Sequence, residues 1–98
     1  MKLAVKKRAG NTLANLADWI DDHNTEGAGD RWLIQFYADM AHIAKIKLKQ
    51  AICKDESLAR YEYRCFTYKE NWVVAYKITA TKLTIYRFIL GSRLAQPL

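Results

Sequence analysis

The sequence predicts an α+β fold in which an N-terminal helical hairpin packs on a small, mainly antiparallel four-stranded sheet. Two observations lead to this prediction. Apolar residues recur at helical spacing in two neighbouring segments of the first half, and three strand-like runs follow in the second half. A short alternating segment at the start adds a strand, which gives the order β-α-α-β-β-β. No internal repeat is visible, so we expect residues 1–98 to form a single domain.

Different periodicities predict the first strand and the first helix. Residues Lys2–Lys7 alternate, with Leu3 and Val5 on one side, as in a strand with one buried face. Asn11 is the predicted N-cap of the helix that follows, since its side-chain oxygen can accept a free backbone N–H. One apolar stripe then runs along this helix, formed by Leu13, Leu16, Ala17 and Ile20.

A second helix is predicted over Ala28–Ala44, after a break at residues 23–27. A gap this short between two amphipathic helices favours an antiparallel hairpin. Residues 45–60 form a weakly patterned basic connection. The apolar face of the second helix carries Leu33, Phe36, Tyr37, Met40, Ile43 and Ala44.

Three strands are predicted after the connection. Tyr61–Tyr68 alternates, and Trp72–Ile78 is rich in β-branched and aromatic residues. Leu83–Leu90 is apolar on both faces except for Arg87, which is expected of a strand in the middle of a sheet. The short linkers between these runs have lengths that suit hairpins, so the sheet should be mainly antiparallel.

The positive charge of the chain is concentrated in its second half. The net charge is +6, but residues 1–44 carry 5 basic and 6 acidic side chains, whereas residues 45–98 carry 11 basic and 4 acidic ones. Such a concentration of positive charge favours an anionic partner, either nucleic acid or an acidic protein. The longest uncharged stretch has nine residues, far fewer than the about 20 of a membrane span, and no apolar run of signal-peptide length follows Met1. We therefore expect a cytoplasmic protein with no membrane partner.

Few residues in the chain suit metal binding or proton transfer. Cys53 and Cys65 belong to no CxxC pair or metal-ligand cluster, and we expect them to be reduced thiols. Both histidines, His23 and His42, fall in the helical half. There is no phosphate-binding loop, HExxH motif or nucleophile elbow. A metal site, a cofactor and a conventional hydrolase are therefore not expected.

Arginines are the most informative residues of the predicted strands. Arg87 lies between Tyr86 and Phe88, where a permanent charge costs free energy unless it is paired or lies at the edge of a site. Two interpretations remain open for Arg64 and Arg87. Each reaches solvent or a structural carboxylate, or the two form a guanidinium cluster for phosphate or carboxylate, with Arg93 at its rim.

Aromatic residues interleave with the basic ones in the second half of the chain. They could provide surfaces on which nucleic-acid bases stack. A sheet covered by two helices also needs aromatic residues in its core, which favours the core interpretation. The residues concerned are Tyr61, Tyr63, Phe66, Tyr68, Trp72 and Tyr76.

Three C-terminal segments carry a family resemblance, namely Tyr63–Phe66, Trp72–Ile78 and Leu83–Arg93. Taken in this order, they resemble the RelE/ParE toxin superfamily of type II toxin–antitoxin systems. In the helical half, Leu16–Ile20 and Ala28–Leu33 are also similar to the family, with a break between them that contains an asparagine. The resemblance covers nearly the whole chain and implies a toxin.

The superfamily has two activities relevant here. RelE-like members cut messenger RNA in the ribosome, with basic residues and usually a C-terminal Tyr or His, and ParE-like members inhibit DNA gyrase. The family's frequent His-Gly-x-Arg reads Leu90–Arg93 in this chain, and the segment Leu94–Leu98 has no tyrosine. The resemblance therefore implies a ParE-like toxin that inhibits gyrase by binding. Its target-binding residues would be Arg64, Arg87, Arg93, Lys47 and Lys49.

Two alternatives remain beside the gyrase inhibitor. One is a RelE-like, ribosome-dependent mRNA endonuclease whose catalytic residues would be Arg64, Arg87 and Glu62. The other is a non-toxic interaction module on the same fold. The resemblance also implies a cognate antitoxin from an adjacent gene, acidic or amphipathic, that covers the basic sheet or the helical hairpin. A homodimer and a toxin–antitoxin hetero-oligomer are both compatible with this expectation.

Overall fold

The computed structural model, which describes residues 1–94, has the predicted element order and adds one short helix to it. The α+β class and the order β-α-α-β-β-β are confirmed. The elements in chain order are β1 (Lys2–Val5), α1 (Lys7–His23), α2 (Ala28–Lys45), α3 (Glu56–Ala59), β2 (Arg64–Tyr68), β3 (Trp72–Ile78) and β4 (Lys82–Leu90), followed by a 3₁₀ turn at Gly91–Arg93.

The four strands form one sheet in the order β1-β4-β3-β2. β2 pairs with β3 and β3 with β4 in antiparallel fashion, whereas β1 pairs with β4 in parallel. β4 is thus an inner strand, as its apolar sequence predicts. Its pairing with β1 ends at Ile85, so no described strand lies beside its remaining residues, 86–90, on that edge.

A β-bulge interrupts the pairing of β3 with β4. Ala75 pairs with Arg87 and Tyr76 pairs with Ile85, which leaves Tyr86 as the extra residue. A regular strand would direct Tyr86 and Arg87 to opposite faces of the sheet. In the bulge, Tyr86 and Arg87 of β4 together lie opposite one residue of β3, so both side chains lie on the same face of the sheet.

The helical hairpin covers one face of the sheet and forms the main core with it. Leu13 of α1 and Phe36 and Met40 of α2 are fully buried against this face. The sheet contributes Tyr68, Val74, Tyr76, Leu83, Ile85 and Phe88. Within the described residues no helix is long and apolar enough to cross a membrane.

Gly29 allows the two long helices to approach closely. A Cβ at this position would lie 2.1 Å from the backbone oxygen of Ala17, so only a hydrogen fits between the helices. The Gly29 N–H also donates to Asp21 Oδ1 at 2.7 Å. α2 starts directly after Gly27, whose φ of +84° suits glycine. These contacts fix how the predicted hairpin turns and packs.

The first helix starts earlier than its sequence predicts. Lys6 is its N-cap residue, and the predicted cap, Asn11, lies inside the helix. The reason is packing, since the additional turn buries Ala9 completely in the core. The Lys6 N–H donates to the Ile85 carbonyl at 2.9 Å, so α1 begins as soon as the parallel pairing ends.

The expectation of two reduced thiols is wrong, because Cys53 and Cys65 form a disulfide. The basic connection folds back along β2, where the Cys53 N–H donates to the Tyr63 carbonyl and the Cys65 N–H donates to the Ala51 carbonyl. This pairing brings the two Cα atoms to 5.0 Å. A separation of 12 residues in the sequence gives no indication of such a contact.

A second, smaller core lies on the sheet face opposite the helical hairpin. The short helix α3 covers this face with the fully buried Leu58. The strand predicted over Tyr61–Tyr68 begins only at Arg64, because the chain turns after α3 and Glu62 has a φ of +62°. The remaining members of this core are Cys53, Cys65, Val73 and Ala75.

Candidate anion-binding groove

Arg87 carries a half-buried positive charge that no carboxylate of residues 1–94 neutralises. It pairs with Ala75 across the ladder and therefore faces the second core. Burial lowers the pKa of the Arg87 guanidinium, and the positive charge of Arg8 lowers it further. Among residues 1–94, no carboxylate is close enough to offset these two effects. The folded chain thus holds a partly dehydrated positive charge at Arg87 next to the charge of the exposed Arg8.

A groove of about 710 Å³ runs between α1 and the end of β4. We call it the arginine groove, because Arg8, Arg87 and Arg93 line it. None of the described lining residues is acidic. Its other lining residues are Thr12, Asn15, Leu16, Ser57, Trp72, Phe88, Ile89, Leu90 and Leu94.

The three arginines of the groove come from three separate segments, α1, β4 and the 3₁₀ turn. α1 follows β1 directly and runs past the part of β4 that β1 leaves uncovered, with Arg8, Thr12 and Asn15 at helical spacing on its groove side. Arg93 comes from the 3₁₀ turn that ends β4. The Gly91 N–H donates to the Asn71 carbonyl at 2.8 Å, which holds this turn against the start of β3.

Arg64 does not join Arg87. Its ladder partner is Tyr76, whereas Arg87 is opposite Ala75, so the two arginine side chains leave opposite faces of the sheet. The Arg64 guanidinium donates a hydrogen bond to the carbonyl of Gln50. Arg64 therefore holds the connection of residues 45–60 on the edge of the sheet. This is a structural role, and Arg64 does not take part in a guanidinium cluster with Arg87.

The other predicted site residues also lie outside the arginine groove. Glu62 borders a different hollow with Arg64 and Lys77. Lys47 and Lys49 line a third one, near the β3–β4 turn. Of the residues predicted for target binding or catalysis, the groove brings together only Arg87 and Arg93.

Arg8 is the groove residue that sequence reasoning missed. It precedes the predicted helix, in a half of the chain with almost no net charge. Only the parallel pairing of β1 with β4 places it beside Arg87. A signal could have been found in the short spacing between the first strand and the first helix, because such a helix must start at the sheet edge.

The chemistry of the groove is that of anion binding. Guanidinium groups bind phosphate and carboxylate through paired N–H donors, and hydroxyl and amide side chains add neutral donors. The described lining residues include no His, Cys, Asp or Glu that could transfer a proton near neutral pH. In the same part of the chain, no three metal-binding side chains cluster together.

Some of the aromatic residues of the second half pack in the main core, and others lie outside it, where bases could stack. Phe66, Tyr68, Trp72 and Tyr76 contribute to the main core, as the core interpretation predicts. Tyr61 and Tyr63 lie on the opposite side of the sheet, outside that core.

Two core tyrosines also form hydrogen bonds with neighbouring segments through their hydroxyl groups. The Tyr76 hydroxyl donates to the Leu48 carbonyl at 2.7 Å and accepts from the Gln50 N–H at 2.9 Å. The Tyr68 hydroxyl donates to Asp39 Oδ2 at 2.6 Å. This hydrogen bond is the main cause that holds the pKa of the Asp39 carboxyl below its usual range.

Comparisons with known proteins do not assign a function to the groove. No protein-family model matches the chain, and no curated protein matches it. Residues 95–98, which belong to the C-terminal segment considered in the family comparison, lie outside the described residues.

Proposed function

We propose that the chain is a ParE-like toxin of the RelE/ParE superfamily and inhibits DNA gyrase by binding it through the arginine groove. The observation that carries the proposal is the half-buried Arg87 guanidinium, which lies beside Arg8 without a described carboxylate partner. A bound anionic group would neutralise both charges. The gyrase target itself comes from the sequence resemblance, and a gyrase inhibitor would act in the cytoplasm.

Binding rather than catalysis is favoured by the residues around the groove. Its described lining has no side chain that titrates near neutral pH. The catalytic set of the endonuclease alternative is spread over two faces of the sheet, since Arg64 and Glu62 border one hollow and Arg87 lines another. A cognate antitoxin with acidic side chains would occupy the same groove and so compete with the target.

A supercoiling assay tests the proposal. Purified chain should inhibit gyrase, and Arg87→Met should weaken the inhibition by about tenfold, the effect of losing one charge-assisted hydrogen bond. Arg31→Met is the matched control, because Arg31 is an exposed residue of α2 and does not line the groove. It should inhibit like the unchanged chain.

Two results would overturn the proposal. Gyrase that is unaffected by saturating protein would remove the target. Cleavage of mRNA in programmed ribosomes, lost in Arg64→Met or Glu62→Gln, would establish the endonuclease alternative instead.

A further inference from the structure

Three tyrosine rings stack in a row on the face of the sheet opposite the helical hairpin. We call Tyr61, Tyr63 and Tyr86 the tyrosine row. The ring centroids of Tyr61 and Tyr63 are 5.4 Å apart, those of Tyr63 and Tyr86 are 4.8 Å apart, and each pair is inclined by 25°. The row is a continuous aromatic stack outside the main core.

The tyrosine row ends at an accessible ring. Tyr61 is 53% exposed and stacks on Tyr63 with one face. In the described part of the chain, no other ring stacks on Tyr61. Its outer face is therefore available to a planar ligand. Its inner face stacks on Tyr63, which in turn stacks on Tyr86, and both of these rings are half-buried.

Cationic side chains surround the tyrosine row. Lys77 Nζ lies 5.6 Å from the Tyr63 centroid and 5.7 Å from that of Tyr86, and Lys6 Nζ lies 5.5 Å from the Tyr86 centroid. These distances are within the range of cation–π attraction. Neither lysine forms an ion pair with a described carboxylate, so both ammonium groups remain free to contact phosphate.

The β-bulge in β4 joins the tyrosine row to the arginine groove. It directs Tyr86 and Arg87 to the same face, although they are adjacent in sequence. Arg87 lies near both Tyr61 and Tyr63, and its guanidinium also lines the groove. Rings and cations thus form one continuous surface from Tyr61 to the groove.

From this arrangement we infer that the tyrosine row binds single-stranded nucleic acid, with a base stacked on Tyr61 and the backbone phosphates held by Lys77, Lys6 and the arginine groove. Stacking requires unpaired bases, because the faces of bases inside a duplex are covered by their neighbours. Stacking with cationic support tolerates any sequence, since every base has an aromatic face. The inference shares the arginine groove with the proposed function, but its stacking ring, Tyr61, lies outside the groove, so Tyr61 variants test nucleic-acid binding separately from gyrase inhibition.

Fluorescence anisotropy with labelled 12-mers tests the inference. The probes are oligo(dT), oligo(rU) and a DNA duplex of equal length, each titrated with the full chain in 50 mM NaCl. At least one single strand should bind about tenfold or more tightly than the duplex. The tighter of the two strands identifies the natural ligand as DNA or RNA.

Variants of Tyr61 separate stacking from charge attraction. Tyr61→Ala should weaken single-strand binding by about tenfold, whereas Tyr61→Trp, which keeps a stacking ring, should bind at least as tightly as the unchanged chain. Tyr37→Ala is the matched control, because Tyr37 is an exposed tyrosine of α2 on the other side of the molecule. Lys77→Ala should reduce the slope of log affinity against log salt concentration by about 0.7.

Three outcomes contradict the inference. They are the absence of binding to either single strand, equal affinity for duplex and single strands, and an unchanged affinity in Tyr61→Ala. The gyrase assay on the same preparation gives an independent result, so a failure here leaves the proposed function untouched.

Discussion

Arg87→Met tests whether the groove holds an unneutralised charge. Full burial of an ion costs several kcal/mol, but Arg87 is only half-buried and water screens part of its charge. Methionine keeps an unbranched apolar stem that can pack in the same place. We therefore expect the free energy of unfolding to rise by about 1 kcal/mol in this variant.

The opposite sign is expected for Arg64→Met. This variant loses the hydrogen bond from the guanidinium to the Gln50 carbonyl, which should lower the free energy of unfolding by about 1 kcal/mol. Urea unfolding followed by tryptophan fluorescence measures both values on the same scale. The gain in Arg87→Met should shrink at 0.5 M NaCl, because salt screens the repulsion between Arg87 and Arg8.

A loss of 1 kcal/mol or more in Arg87→Met would refute this reasoning. It would mean that the guanidinium makes a stabilising contact in the folded chain. The observation that carries the proposed function would then be lost.

Four further variants test the packing at two glycines, the disulfide, and the hydrogen bond between Tyr68 and Asp39. Gly29→Ala should lower the free energy of unfolding by about 3 kcal/mol through overpacking, whereas Gly10→Ala, where a Cβ meets nothing within 4 Å, should raise it by about 0.5–1 kcal/mol in the same urea assay. Replacing Cys53 and Cys65 together with serine should lower the free energy of unfolding by about 3 kcal/mol, since the bridge joins cysteines that are 12 positions apart, and dithiothreitol should reproduce this loss in the unchanged chain. Asp39→Asn should reduce the free energy of unfolding at pH 7 and much less at pH 2.5. A carboxyl whose pKa is lowered in the folded state stabilises the fold fully above its unfolded pKa of about 4. This contribution disappears as the pH falls through the pKa of the folded state. A constant difference between Asp39→Asn and the unchanged chain across this range would contradict the assigned direction.

Local periodicity accounts for what could be predicted of the fold. The limits of β3, Trp72–Ile78, agree with the prediction, because β-branched and aromatic residues fill this segment and turn residues bound it. The apolar run of β4 indicated an inner strand for the same reason. The start of α1 was missed because the burial of Ala9 depends on a sheet formed by distant residues.

The candidate site depends on contacts that no local pattern encodes. Arg87 and Arg93 were identified because they stand out in or beside an apolar strand, but their partner, Arg8, comes from the other end of the sequence. Spacing alone could not separate Arg64 from Arg87. The bulge at Tyr86 changes the face that Arg87 takes relative to the start of β4, and a bulge has no signature in this strand.

The parallel pairing of β1 with β4 also determines when the molecule can fold. Leu3 is paired with Leu83, 80 positions later in the chain. During synthesis the helical hairpin leaves the ribosome long before the strands that cover its apolar face, and the groove does not exist until both Arg8 and β4 have emerged. The helical hairpin is therefore synthesised before the strands that bury its apolar face, and the binding surface forms only after β4 has been added.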